Sequence, residues 1–217
     1  ASDLTGKTSE KALKIIADRE GPVIIIDSTQ TKGKKISVTG FLSDYTKITS
    51  FRINGRDVPF AQQTAGNSKE EGMSVEAEFH QDVDLPEGEN TIVLEAQDAA
   101  ENITTGELRV NARTKDSRLK GLTLIASILP GVSGIIPQQY AFAEGLLGKI
   151  MDNTPPVVSM KGFTDSQTVY DDAFFIEGKV SDDSKVQALT VNGEPVLKRK
   201  GQEIFFNHLA KLNEGEN

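Results

Sequence analysis

The side chains best suited to acid–base work are two histidines, His80 and His208, and the close carboxylates Asp82/Asp84 and Asp182-Asp183. General acid–base catalysis needs such groups within hydrogen-bond reach of a reacting atom, and glycoside hydrolysis needs two carboxyl groups flanking a cleft. Each histidine lies close to the Phe of an alternating segment, Phe79 or Phe206. A period of two directs such a neighbour to solvent, so both histidines are expected on the surface. No nucleophile elbow, phosphate loop or zinc-binding helix can be read. Zero cysteines exclude disulfides and thiolate metal sites. The expectation is a chain without catalysis and without a cofactor that its own residues reveal.

The elements that would position these groups are written twice. Ser43-Asp44-x-x-Lys47-Ile48-x-x-Phe51-x-Ile53-Asn54-Gly55-x-x-Val58 returns as Ser181-Asp182-x-x-Lys185-Val186-x-x-Leu189-x-Val191-Asn192-Gly193-x-x-Val196. Glu87-Gly88-Glu89-Asn90 returns as Glu214-Gly215-Glu216-Asn217. Within the first copy, short segments alternate in polarity: Lys35–Phe41, Ile48–Ile53, Val75–Phe79, Ile92–Ala96 and Leu108–Val110. Asn-Gly between two of them is a strong hairpin signal, since both residues tolerate positive φ. Strands at roughly ten-residue spacing predict a β-sandwich. In the second copy the sequence stops at Asn217, before counterparts of the last two strands. That sandwich is expected to be incomplete at its C-terminus, either because the parent chain continues or because another chain donates a strand.

Between the copies lies a different pattern. Residues 121–143 carry no charge. Leu122, Ile125 and Leu129 follow a helical stripe, and Pro137 opens a second one with Tyr140, Leu147 and Ile150 on one side. The expectation is an α-helical hairpin whose apolar stripe packs on a sandwich or a partner; its prolines, glycines and Gln138-Gln139 argue against a membrane span. The predicted organisation is therefore all-β: 1–19 an N-terminal helical segment, 20–112 the first sandwich, 113–151 the hairpin and 152–217 the second sandwich.

Net charge is −8, with 37% hydrophobic and 26% charged residues. Such an acidic chain is a poor fit to nucleic acid, whose phosphates demand a basic face.

Asp152-x-x-Pro155-Pro156, Gly178-x-Val180-Ser181-Asp182, Val191-Asn192-Gly193 and Leu212-x-Glu214-Gly215-Glu216-Asn217, with Ala96-x-Asp98-x-x-x-Asn102 in the first copy, resemble bacterial immunoglobulin-like domains of the glucodextranase-type and cadherin-like kinds. Such resemblance speaks to fold more than to function. It implies an exported bacterial protein, in the periplasm, at the cell surface or secreted, and a non-catalytic spacer, adhesion or assembly role. Partners would be another protein or a second copy, through the insert or an open sheet edge. An accessory polysaccharide-binding module of a secreted carbohydrate-active enzyme is the alternative. The resemblance also implies calcium, at Asp18, Asp44, Asp98 and Asn102 in one unit and Asp152, Asp182 and Asp183 in the next. Asp and Asn at turns equally bond their own backbone and need no metal.

Overall fold

The computed structural model describes residues 17–65, 74–112, 154–162, 166–197 and 199–217. Thirteen strands occupy them: β1 Val23–Lys32, β2 Lys35–Asp44, β3 Ile48–Ile53, β4 Arg56–Asp57, β5 Phe60–Ala65, β6 Ser74–Asp84, β7 Gly88–Asp98, β8 Ile103–Ala112, β9 Val157–Met160, β10 Ala173–Val186, β11 Thr190–Val191, β12 Glu194–Pro195 and β13 Gly201–Lys211. Both Asn-Gly pairs make tight hairpins, with φ of 51° and 74° at Asn54-Gly55 and 50° and 83° at Asn192-Gly193. Positive φ at both central residues matches the twist of the flanking strands.

Two sheets share the N-terminal core. One contains β5-β6-β2-β1, and the other is β4-β3-β7-β8. Alternation along each strand sends Val38, Leu42, Phe51, Phe79, Ile92, Leu94 and Leu108 inward, all at most 1% exposed. Burying each such side chain contributes about 1.5–3 kcal/mol.

The first sheet does not end at β1. It continues through β13, β10 and β9, so seven strands run in the order β5-β6-β2-β1-β13-β10-β9. The junction is antiparallel, with Ile24 opposite Phe205 and Ile25 opposite Ile204. Side chains alternate across this junction into two cores. Ile24, Ile26 and Phe205 join the N-terminal core. Ile25, Ile204 and Phe206 join a second core with Val180 and Val186. The two cores therefore lie on opposite faces of one sheet. Phe205 reaches the first core beneath Gly106, where an added Cβ would stand 2.6 Å from its ring.

Side chains also tie the two units across the junction. Lys185 Nζ meets Asp27 at 2.6 Å, Arg199 Nε meets Glu76 at 2.9 Å, and the Arg199 guanidinium lies 4.3 Å from the Phe41 ring centre. Another is Asn207, 2% exposed. Its Oδ1 accepts from Gly21 N at 2.6 Å and its Nδ2 donates to Thr104 Oγ1 at 2.6 Å. A buried amide satisfied on both atoms fixes one arrangement, because any other leaves it orphaned.

Two expectations are corrected. The all-β class holds, but no helix stands among the described residues to support an α-helical hairpin, and the two units, expected as separate sandwiches, are fused through β1 and β13. The unbroken apolar runs Ile24-Ile25-Ile26 and Ile204-Phe205-Phe206 are the physical reason, since strands buried on both faces lose their alternation. Residues 113–151, with Leu122, Ile125, Leu129, Tyr140, Leu147 and Ile150, lie outside the described residues, as does most of the N-terminal segment 1–19. No helix among the described residues is long and apolar enough to cross a membrane.

Candidate metal centre

Three chain positions far apart in sequence meet at one end of the N-terminal unit. Asp18 precedes β1, Asp44 ends β2 and Asp98 ends β7. One carboxylate oxygen from each lies within 4.8 Å of the others. Asp44 and Asp98 are buried, at 7% and 1% exposure.

Each carboxylate is set by its own turn. Asp44 Oδ1 accepts from Thr46 N at 2.6 Å and Thr46 Oγ1 at 3.0 Å. Asp98 Oδ1 accepts from Asn102 N at 2.8 Å, and its Oδ2 accepts from Asn102 Nδ2 at 2.8 Å. That turn closes over Glu101, held at φ 69°. Asp18 Oδ1 accepts from Glu20 N at 3.3 Å. Its Oδ2 is out of reach of solvent and has no hydrogen-bond partner among the described residues. A buried acceptor left unpaired costs about 1–3 kcal/mol, more when charged.

Electrostatics sharpen the point. Burial, then the like charges of Asp18 and Asp98, push Asp44 up from 3.8 to about 7, against the lowering effect of the Thr46 bonds. Three acids held this close, with Asp18 Oδ2 buried and unpaired, are a poor arrangement for a protein alone. They fit a hard cation, because Ca²⁺ takes carboxylate and carbonyl oxygens at about 2.3–2.6 Å and so spans ligands about 5 Å apart. Asp18, Asp44 and Asp98 would hold it. Asn102 donates both its N–H and its Nδ2 to Asp98, and Nδ2 also reaches Glu20 O at 3.2 Å, so it positions an acid and the entering chain.

Of the positions expected to bind in the next unit, two are described. Asp182 Oδ1 is taken up by Ser184 N at 2.8 Å, Ser184 Oγ at 2.6 Å and Lys185 N at 3.1 Å. Asp183 is exposed, and Asp152 lies outside the described residues. His80 is exposed, whereas His208 is 8% exposed and Nδ1 sits 2.9 Å from Glu20 Oε1. The surface expectation for His208 is corrected: it stands two residues after Phe206 and so shares that side chain's inward face. Sequence reasoning also missed Glu20 and Asn207, whose partners lie 189 and 186 residues away, Leu209 N and Gly21 N respectively.

A cleft of about 800 Å³ lies between β8 and the strands β9, β10 and β13. Its Lys161 pairs with Glu177 at 2.9 Å and its Lys179 with Glu203, so these lysines are already neutralised.

No family model matches the chain, and neither the curated proteins nor the solved structures contain a match.

Proposed function

We propose that this chain is a non-catalytic structural module of an exported bacterial envelope or surface protein, two copies of one Ig-like unit acting as a stiff spacer or assembly segment. One observation carries this reading. The units share a seven-stranded sheet, with Phe205 of one seated in the core of the other. Relative motion of the units would break backbone pairing and both cores together. A single strong junction suits a part that transmits position or load.

The acidic cluster supports the same reading. A calcium ion on Asp18, Asp44 and Asp98 would tie the segment entering β1 to the ends of β2 and β7. Unfolding in urea is the test, by circular dichroism and by tyrosine fluorescence. A single coincident transition that moves to higher urea with calcium is expected. Two separate transitions, one per unit, would overturn the stiff-module reading.

A further inference from the structure

The four residues that lead into β1 touch the acid cluster at one end and the other unit at the other. Asp18 supplies one of the three carboxylates that meet, and its Oδ1 accepts from Glu20 N at 3.3 Å. Glu20 directs its own carboxylate to β13. Its Oε1 accepts from Leu209 N at 3.0 Å, and His208 Nδ1 lies 2.9 Å from the same atom. The backbone ladder of this junction runs from Ile26 opposite Glu203 to Ile24 opposite Phe205. Glu20 thus continues the junction by side chain, holding a strand N–H beyond those rungs. The Glu20 carbonyl accepts from Asn102 Nδ2 at 3.2 Å, and the same amide donates to Asp98 Oδ2 at 2.8 Å.

This stretch has little slack. Gly21 N donates to Asn207 Oδ1 at 2.6 Å. A Cβ on Gly21 would stand 2.8 Å from Thr104 Oγ1 and 2.9 Å from Asn207 Nδ2, so the bare backbone packs directly on both. Pro22 follows, buried, with its φ fixed by the ring. A shift at Asp18 therefore reaches β13 within three residues. Asp18 is also the acid with most to gain from an ion, because its Oδ2 is buried and has no hydrogen-bond partner among the described residues.

We infer that Glu20 is a positioning residue that couples the cation site to the junction between the units: an ion on Asp18, Asp44 and Asp98 holds residues 18–21, and these hold Leu209 and Asn207 of β13. The inference deepens the calcium reading and rests on it. The ion changes how often these bonds open, not where the units sit. Coupling of this kind is reciprocal, so loosening the β13 contacts must weaken cation binding by the factor that the cation tightens them.

The first measurement is amide hydrogen exchange of the full chain by NMR, in chelator and in saturating calcium. Exchange at Leu209 and Gly21 should slow about fivefold or more with the ion. Val196 N, which donates to Leu189 O at 2.9 Å within the second unit, should not respond. The second is calcium titration by calorimetry. Glu20→Ala should weaken binding about fivefold or more, and Asn207→Ala should weaken it too, although no charge changes. Glu20→Gln keeps an acceptor oxygen for Leu209 N and should bind as the parent does. Equal weakening by Glu20→Gln would make the effect one of charge and overturn the inference. Calcium binding that leaves Leu209 exchange unmoved, or that Glu20→Ala leaves intact, would sink the coupling while the cation site stands. A parent chain that takes up no calcium would remove both, leaving the shared sheet to be judged by its urea transition.

Discussion

Replacing Asp44 by Asn should stabilise the calcium-free protein at neutral and alkaline pH. The folded chain holds the Asp44 proton up to about 7, while the unfolded chain releases it near 3.8. Between these values the folded state binds more protons, so the stability this group contributes falls as pH rises and is fully lost above about 7. A shift of about three units at 1.36 kcal/mol each amounts to about 4 kcal/mol. Solvent screening at the edge of the cluster makes that an upper bound, and about 1–3 kcal/mol is the working range. Asn cannot ionise and nearly preserves shape. The assay is urea unfolding of both proteins in chelator, at pH steps from 4 to 9. The difference, variant minus parent, should grow from pH 4 to 7 and then level. Carboxylates away from the cluster are common to both proteins and cancel in this difference. Adding calcium at pH 8 should recover most of the parent's deficit and move the Asp44→Asn variant much less, because the ion requires the deprotonated acid. A variant less stable than its parent at pH 8 in chelator would refute the reasoning, as would a calcium response that survives the substitution intact.

Other predictions concern the junction. Asn207→Ala leaves the buried Gly21 N–H without its acceptor and should cost about 1–3 kcal/mol in urea unfolding. Gly106→Ala places a methyl where the Phe205 ring lies 2.6 Å away, so overpacking of about 1–3 kcal/mol is expected in the same assay. Lys185→Met removes an ion pair whose side chains are 32% and 33% exposed; its cost should stay within about 1 kcal/mol, which sets it apart from the buried amide.

How much of this was legible in the sequence differs by element. Strands β2, β3, β6, β7 and β8 announce themselves by alternation, because each has one face on a core and one in water. Asn54-Gly55 and Asn192-Gly193 likewise fix their hairpins locally. The fusion of the two units was harder to see. Its only local trace is a run of consecutive apolar residues in each strand, Val23–Ile26 in β1 and Ile204–Phe206 in β13, and such runs suit any strand or helix buried on all sides. Among the acids, Asp18, Asp44 and Asp98 were reached through resemblance, since no spacing rule joins residues 26 and 54 positions apart along the chain. Asp182 shows the limit of that route. It repeats Asp44 in sequence and in its turn, with Oδ1 accepting from Ser184 as Asp44 Oδ1 does from Thr46, yet only Asp44 meets two other acids among the described residues. The nearby Lys185 takes up a φ of 99°. His208 was misplaced for a simpler reason: one residue of phase decides which face a strand side chain occupies.

The chain has no cysteine, so spin labels can be placed cleanly at Glu78→Cys on β6 and Gln187→Cys after β10, both exposed positions on different units. Electron-spin distance measurement between them tests whether the shared sheet makes one rigid body. A single narrow distance peak, unchanged by calcium, is the predicted result. A broad or two-peaked distribution would show units that move independently and would contradict the account.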